Sequence, residues 1–353
     1  MIRESIQKLV NSADLTYEES TVAMKEIMSG KATNAQIGAF LTALRTKGET
    51  SEEITAFTTV MKQCCHKIHP QVKGRLVDTC GTGGDKIKTF NISTTAAFVV
   101  AGADIAVAKH GNRSVTSKCG SADVLERLGL NLNVDHKVVE EAIEKVGIGF
   151  MFAPAFHPAM KYAIGPRREL GIRTVFNVLG PLTNPADASA QLLGVYDPKL
   201  TEPLAHSLKS LGCEEAMVVH GLDGLDEIST IGKTRISWLR NGEVTTRELS
   251  PKEFGIKQAK LEDIKGTAPE ESAELVFKIL YGFIDANNPK REIVQVNGAA
   301  AIIVGGKAED FGYGIELAKE SIESGAAYMK LKELVKFSSG DTSKLEQLEK
   351  NHA

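Results

Sequence analysis

Residues 78–85, Asp-Thr-Cys-Gly-Thr-Gly-Gly-Asp, form a glycine-rich segment with few bulky side chains. Glycine tolerates positive φ and lets the backbone approach a ligand closely. Successive backbone N–H groups in such a turn make an anion-binding concavity, and a helix that starts among hydroxyl groups, as expected at residues 89–94, favours phosphate. The segment matches neither the P-loop nor the dinucleotide-binding pattern. It therefore predicts an anion site, with a tight strand-to-helix turn as the alternative.

A second polar loop follows a predicted strand and precedes a predicted helix. It combines Lys109, Arg113 and Lys118 with several hydroxyl groups. Such a density of cations suits a ligand with several negative charges, such as a diphosphate. Open α/β sheets bind their ligands at this end of the strands, which favours a binding site over a solvated basic loop.

Two adjacent carboxylates, Asp226 and Glu227, follow another predicted strand, and Asp223 is nearby. Magnesium prefers hard oxygen ligands and often binds one or two carboxylates together with substrate phosphates. An exposed acidic turn is the alternative for such a pair. Beside two anion-binding loops, however, the pair indicates a metal ion between protein and polyphosphate.

Arginines are concentrated in a fourth stretch, at Arg167, Arg168 and Arg173. A guanidinium group is well suited to bind a carboxylate through two hydrogen bonds. Each of these arginines could instead be the partner of an acidic side chain within the protein, and the sequence leaves both possibilities open.

The elements that must position these residues fall into two groups. Up to about residue 65 the pattern is helical only, with a capping box at Thr16 and Glu19 and a later helix that starts at Ser51 as N-cap. From Leu76 onward, short apolar runs alternate with helical segments, which predicts a largely parallel sheet covered by helices. The predicted strands include 105–108, 149–152, 191–196 and 216–220, and a hairpin turns at Asn241-Gly242.

We therefore predict an α/β protein with a small all-helical N-terminal domain at residues 1–70 and a large α/β domain at residues 71–353. The α/β domain has a mostly parallel central sheet. We expect a segment near residues 165–190 to complete the helical domain.

Composition excludes several classes of protein. The chain has 353 residues, 42% of them hydrophobic and 25% charged, and a net charge of −3, so no basic excess indicates nucleic acid. Its five cysteines have no paired spacing. The N-terminus has no apolar signal segment, and no apolar run approaches the length of a membrane span. We expect a cytoplasmic protein with reduced thiols and no membrane contact.

Taken together, the motifs resemble the anthranilate phosphoribosyltransferase family over nearly the whole chain. The motifs are Gly81-Thr-Gly-Gly-Asp85, Asn91-Ile-Ser-Thr94, Lys109-His-Gly-Asn-Arg113, Gly120-Ser-Ala-Asp123, His157-Pro-Ala-Met160, Gly180-Pro-Leu-Thr-Asn-Pro185 and Asp226-Glu227. One departure is Thr116, where many members carry serine. The resemblance implies a homodimer formed through the small domain. Pyrimidine nucleoside phosphorylases share the fold and are the alternative, followed by a non-catalytic relative that binds nucleic acid.

The resemblance also implies a reaction, in which anthranilate is joined to phosphoribosyl pyrophosphate (PRPP) and pyrophosphate is released. It implies PRPP contacts at Gly81, Gly84, Asp85, Thr89, Asn91, Ile92, Ser93, Thr94, Lys109, His110, Gly111, Asn112, Arg113, Ser114, Val115, Thr116, Ser117 and Ser121. It implies Mg²⁺, two ions per monomer, on Ser93, Asp226 and Glu227, and anthranilate near Gly81, Asn112 and Arg167. His110 and Arg168 are further candidates near the acceptor. We nominate no general base, because the aniline nitrogen is already a neutral nucleophile.

Overall fold

The N-terminal part of the chain is a helical bundle. In the computed structural model, which describes residues 1–84, 87, 89–113, 119–266 and 269–352, it comprises α1 (Ile2–Val10), α2 (Tyr17–Met28), α3 (Asn34–Lys47) and α4 (Ser51–Gln63). The capping box predicted at Thr16 and Glu19 is confirmed. The prediction that Ser51 is an N-cap is wrong by one residue. Thr50 is extended and accepts the Glu53 N–H, so Ser51 is the first residue of α4.

Strands alternate with helices in the rest of the chain. The strands are β1 (Val77–Gly81), β2 (Val107–Gly111), β3 (Ile148–Phe152), β4 (Ala190–Gly194), β5 (Glu215–Gly221), β6 (Thr234–Arg240) and β7 (Glu243–Leu249). The helices are α5 (Ile92–Gly102), α6 (Ser121–Arg127), α7 (His136–Val146), α8 (Ala153–Phe156), α9 (Lys161–Leu170), α10 (Phe176–Leu182), α11 (Thr201–Ser210), α12 (Leu261–Ile264), α13 (Pro269–Tyr281), α14 (Pro289–Val304), α15 (Phe311–Glu323), α16 (Ala326–Phe337) and α17 (Ser343–His352).

The described residues form one seven-stranded sheet in the order β3-β2-β1-β4-β5-β6-β7. Strands β1 to β5 are parallel, and β6 and β7 form an antiparallel hairpin at one edge. The hairpin turns at Asn241 and Gly242, which both have positive φ, as a two-residue turn of this kind requires. The predicted fold class, a helical domain followed by a mostly parallel α/β domain, is confirmed.

Strand β1 occupies the point where the strand order reverses. The chain passes from β1 outward to β2 and β3 and then returns to β4 on the other side of β1. In open α/β sheets the connections diverge at such a point and leave a crevice beyond the carboxyl ends of the strands. The glycine-rich segment enters this crevice after Gly81, because its first four residues, 78–81, belong to β1.

Helix α14 is the central helix of the α/β domain. Every residue from Ile293 to Val304 is buried, and the helix packs against α5, α15 and β4. A helix that is buried on all sides needs small or apolar side chains throughout, and α14 carries only two uncharged polar side chains in this stretch, Gln295 and Asn297. Among the described residues, no helix combines the length and hydropathy needed to cross a membrane.

Helices α9 and α10 bring the middle of the chain back to the bundle. Helix α9 packs on α2 and α3, and α10 packs on α4. The ring of Tyr162 on α9 lies so close to Gly30 that a Cβ atom there would be 2.6 Å from it. Residues 161–182 therefore connect the helical bundle to the crevice of the sheet.

Candidate active site

The cleft lies at the crevice beside β1 and has a volume of about 330 Å³. All the described residues that were predicted to contact PRPP, Mg²⁺ or anthranilate line it: Gly81, Gly84, Thr89, Asn91, Ile92, Ser93, Thr94, Lys109, His110, Gly111, Asn112, Arg113, Ser121, Arg167, Asp226 and Glu227. The further candidate Arg168 does not line it. Asp85, Ser114, Val115, Thr116, Ser117 and Lys118 lie outside the described residues. A larger cavity of about 470 Å³ between α4 and α11 is lined by none of the predicted residues.

The glycine turn after β1 is packed against two other loops. The Gly83 N–H donates to Asp226 Oδ2 at 2.9 Å, and Arg173 Nη2 donates to the Gly84 carbonyl at 2.6 Å. Gly84 has φ +82°, and a Cβ there would lie 2.4 Å from the Arg173 guanidinium. A Cβ at Gly81 would lie 2.9 Å from Asp226 Oδ2. This close approach explains why the turn consists mainly of glycine.

The carboxylate pair is buried at the same place. Asp226 is 9% exposed and Glu227 is 7% exposed, so the alternative of an exposed acidic turn is wrong. The segment crosses the end of β4 so closely that a Cβ at Gly194 would lie 1.6 Å from the Asp226 carbonyl oxygen. Burial of two carboxylates is costly unless cations or hydrogen bonds compensate for it.

The donor atoms fit Mg²⁺ that is completed by a ligand. Asp226, Glu227 and the hydroxyl group of Ser93 line one cleft and are hard oxygen donors. The described residues contain no group of three His, Cys, Asp or Glu side chains that could hold a metal by themselves. Magnesium commonly takes one or two carboxylates and completes its shell with water and substrate phosphates.

Lys109 lies under the cleft. Its Nζ atom donates to the Thr79 carbonyl at 2.5 Å, and burial lowers the pKa of its ammonium group. Asp78 beside it is fully buried, which raises the pKa of that carboxyl, and it accepts hydrogen bonds from the His110 N–H and the Asn184 amide. The alternative of a solvated basic loop is therefore wrong for Lys109, whose charge is held inside the protein.

Arg113, in contrast, is partly exposed and already paired. Its guanidinium contacts Asp123 at 3.0 Å and Glu126 at 2.7 Å, and these carboxylates raise its pKa. Any contact of Arg113 with a ligand would have to compete with these two ion pairs.

Among the described arginines that line the cleft, Arg167 is the one whose side chain is left available. In the described part of the chain its side chain makes no hydrogen bond or ion pair, and its guanidinium lies 5.1 Å from the centre of the Phe176 ring. Burial lowers the pKa of this guanidinium. Among the described residues, therefore, Arg167 has no acidic partner of the kind that the salt-bridge alternative requires. A half-buried guanidinium without a carboxylate partner is suited to receive one from a ligand.

Arg168 and Arg173 have other surroundings. Arg168 is exposed and is not among the described residues that line the cleft. Arg173 lies 4.2 Å from the centre of the Tyr196 ring, in addition to its bond with Gly84. The three arginines of the stretch therefore have three different roles in the structure.

The comparisons with known proteins agree with this geometry. Residues 73–328 match the glycosyl transferase family, a/b domain, and residues 3–65 match the glycosyl transferase family, helical bundle domain. Over 337 residues the chain is 54% identical to the anthranilate phosphoribosyltransferase of Acetivibrio thermocellus, a match that covers 96% of each chain. It is 53% identical to that of Desulfosudis oleivorans, with 96% of this chain and 98% of the relative covered.

The chain belongs to the anthranilate phosphoribosyltransferase family. The crystal structure of the member from Thermus thermophilus superimposes with a TM-score of 0.89 at 40% identity, over 95% of this chain and 99% of that one. The Saccharomyces cerevisiae anthranilate phosphoribosyltransferase in complex with PRPP and Mg has a TM-score of 0.87 at 29% identity, over 96% of this chain and 98% of that one. The chain is thus a glycosyltransferase of the pentosyl class, as predicted.

Several residues that line the cleft were not among the predicted site residues. They are Cys80, Thr82, Gly83, Phe90, Cys119, Gly120, Arg173, Phe176, Asn177, Gly180 and Pro181. Most belong to the loops that the prediction already used. Phe176 and Asn177 on α10 belong to the helical connection, and only their closeness to arginine in the sequence could have indicated them.

Two buried histidines, His110 and His157, lie next to each other at the cleft. The ring centres of His110 and His157 are 5.0 Å apart, and burial lowers their pKa values to about 3 and about 4. Both rings are therefore neutral near pH 7. His110 contributes a polar but uncharged wall to the cleft, and it is not protonated to act as an acid.

Proposed function

We propose that this chain transfers the phosphoribosyl group of PRPP to the amino nitrogen of anthranilate and releases pyrophosphate, as a step of tryptophan biosynthesis. One observation carries the proposal. A single cleft combines an anion-binding glycine turn, a buried carboxylate pair and Arg167, a half-buried guanidinium without a partner among the described residues. The glycine turn is suited to bind a diphosphate, the carboxylate pair its metal ion, and Arg167 the carboxylate of an acceptor.

The phosphate side of the cleft is assigned to PRPP. The glycine turn, the start of α5 and the loop after β2 would bind its phosphate oxygens through backbone N–H groups and hydroxyls. Ser93, Asp226 and Glu227 would hold Mg²⁺, with two ions per monomer. When bound, Mg²⁺ supplies positive charge against the charge that develops on the departing pyrophosphate. Lys109 adds a fixed positive charge beneath the same atoms.

The acceptor side of the cleft is assigned to anthranilate, near Gly81, Asn112 and Arg167. Arg167 would bind the carboxylate and orient the ring so that the amino group faces the anomeric carbon. The aniline nitrogen attacks with its own lone pair, so the protein needs no strong base. The ribosyl centre resembles an oxocarbenium ion during the transfer, and positioning of the two substrates supplies much of the rate. Exclusion of water from the cleft would prevent hydrolysis of the activated sugar.

A fluorescence assay tests the reaction. Anthranilate fluorescence should fall only when the purified chain, PRPP and Mg²⁺ are all present. A pyrimidine nucleoside phosphorylase, the alternative activity, would instead cleave a nucleoside with inorganic phosphate and leave anthranilate unchanged. Arg167, which has no ion pair among the described residues, favours the first outcome, because a neutral pyrimidine offers no carboxylate. Phosphorolysis without any loss of anthranilate would refute the proposal.

The carboxylate pair provides a separate test of the metal site. In the double variant Asp226→Asn, Glu227→Gln, turnover should fall and the dependence on Mg²⁺ should weaken, since two buried anionic ligands are lost. The matched control is Glu243→Gln, an exposed carboxylate on β7. An unchanged magnesium titration in the double variant would rule out the assignment.

The assembly and location of the enzyme are proposed on the same basis. We propose a cytoplasmic homodimer that forms through the helical domain, which comprises residues 1–70 and a later segment near residues 165–190. Exposed apolar side chains support this surface, since Val10 on α1 and Ile164 on α9 are 63% and 53% exposed. The net charge of −3 supports the absence of nucleic acid among the partners.

A further inference from the structure

Asn297 is a buried amide on α14 that binds the segment next to the carboxylate pair. The side chain is 0% exposed. Its Oδ1 atom accepts the Ile228 N–H at 2.9 Å, and its Nδ2 atom donates to the Ile228 carbonyl at 3.0 Å. Nδ2 also donates to the Ile293 carbonyl at 2.8 Å, which fixes the side chain to its own helix. One amide therefore holds both backbone polar groups of the residue that follows Glu227.

The opposite side of the same segment is held by the sheet. The Asp226 carbonyl presses against Gly194, where a Cβ would be 1.6 Å away, and Asp226 Oδ2 accepts the Gly83 N–H at 2.9 Å. Residues 226–228 belong to no helix or strand, so no regular ladder of hydrogen bonds orders them. Asn297 replaces the hydrogen bonds of a neighbouring strand, because its side chain accepts from the N–H group and donates to the carbonyl of the same residue.

The position of Asn297 makes this arrangement rigid. Helix α14 is buried along its length and packs on α5, α15 and β4. A polar side chain is tolerated there only because its hydrogen bonds are satisfied, and its removal would leave the Ile228 N–H and carbonyl buried without partners. The backbone next to Glu227 is thus hydrogen-bonded to the buried core of the domain.

We infer that Asn297 is a positioning residue for the magnesium site, acting through the backbone of residues 226–228. The inference rests on the proposed role of Asp226 and Glu227 as magnesium ligands. Groups that orient metal ligands commonly contribute tenfold or more to metal affinity, although they never touch the metal. Without the amide, the backbone of residues 226–228 shifts and displaces the carboxylates from the cleft, and magnesium-dependent binding of PRPP weakens.

The protein offers a matched control on the same helix. Gln295 is two residues earlier, is 1% exposed, and its Nε2 atom has no hydrogen-bond partner among the described residues. Two residues turn an α-helix by about 200°, so the two side chains leave α14 on opposite sides. Asn297→Leu and Gln295→Met each replace a buried amide by an apolar side chain of similar size.

The test measures PRPP binding by isothermal titration calorimetry over a series of Mg²⁺ concentrations, with the full-length protein and no acceptor. For Asn297→Leu, the Mg²⁺ concentration at which the association constant of PRPP reaches half of its maximum should rise about tenfold. Gln295→Met should behave as the wild type. In steady-state assays the Asn297 variant should recover activity at high Mg²⁺, with the KM for anthranilate unchanged. Asn297→Ser, which keeps a short polar group, serves if the leucine variant does not fold.

The outcomes separate the inference from the proposed function. If Asn297→Leu or Asn297→Ser shows the magnesium dependence of Gln295→Met, Asn297 has only a structural role and the inference is wrong. If the wild type binds PRPP equally well with and without Mg²⁺, the proposed metal site itself fails.

Discussion

Arg167 is the residue whose surroundings predict most directly what the cleft binds. It is half-buried and has no ion pair among the described residues, so it is suited to receive a carboxylate from a ligand. Arg167→Ala should raise the KM for anthranilate more than that for PRPP. A hydrogen bond to a charged group contributes about 1.5–3 kcal/mol, which corresponds to a loss of roughly tenfold to a hundredfold in kcat/KM.

The adjacent Arg168 is the control for this substitution. It is exposed and not among the described residues that line the cleft, so Arg168→Ala should leave both KM values near those of the wild type. Equal effects of Arg167→Ala on the two substrates would contradict the carboxylate role.

His157 predicts how stability depends on pH. Burial lowers its pKa to about 4, below the value of about 6.5 expected in the unfolded chain. The unfolded state therefore binds the proton more tightly, and stability must fall as the pH decreases from about 6.5 towards 4. Thermal unfolding at several pH values should show a smaller acid-induced fall of Tm in His157→Asn than in the wild type. His206→Asn, at an exposed histidine, should show the full fall.

The sequence could predict the residue types of the site but not every partner of each residue. All the described candidates except Arg168 line one cleft, and most of them lie on loops that follow parallel strands whose carboxyl ends meet. The contact of Lys109 with the Thr79 carbonyl and the pairing of Arg113 with Glu126 depend on side-chain packing. The bond from Asn297 to Ile228 joins residues 69 positions apart, and no local pattern indicates it.

At the scale of elements, glycines set the distance between β4 and the loop after β5. A Cβ at Gly194 would lie 1.6 Å from the Asp226 carbonyl oxygen, and a backbone atom cannot turn aside as a long side chain can. Gly194→Ala should therefore displace residues 226–228 and lower both Tm and magnesium-dependent turnover, at a cost typical of overpacking, about 1–3 kcal/mol.

Gly38 on α3 is the control for this effect. It has no heavy atom within 4 Å of an added Cβ and a helical backbone. Gly38→Ala should leave turnover unchanged and raise stability by about 0.5–1 kcal/mol, because alanine loses less conformational freedom in a helix. A fully active and fully stable Gly194→Ala protein would show that the loop after β5 can move without consequence.

The sequence predicted the presence of helices and strands better than the residues at which they begin and end. The capping box at Thr16 marks α2 correctly, whereas the start of α4 differs by one residue because Thr50 and Ser51 are both good caps. The predicted strand at 105–108 lies at Val107–Gly111, since the apolar run begins before the first ladder bond. The strand order is not visible in the sequence, because the position of β1 between β2 and β4 depends on long-range pairing.

At the scale of the whole molecule, the exposed apolar side chains of the helical bundle predict self-association. Val10 on α1 and Ile164 on α9 are too exposed to stabilise the monomer. The double variant Val10→Asp, Ile164→Asp should shift the protein from dimer to monomer in size-exclusion chromatography with light scattering. Met329→Asp, at a 48% exposed position on α16 of the α/β domain, should remain dimeric. A wild-type protein that is monomeric at micromolar concentration would contradict this prediction.

The buried helix α14 should slow the opening of residues 226–228, the segment that carries the proposed magnesium ligands. Loops without regular structure normally open often and exchange their amide hydrogens quickly. The Ile228 amide hydrogen is instead bonded to the side chain of Asn297 on α14, whose residues 293–304 are all buried, so its exchange requires the breaking of a buried hydrogen bond. In hydrogen–deuterium exchange this one loop amide should therefore be as slow as the core, so the site remains ordered for as long as the protein remains folded.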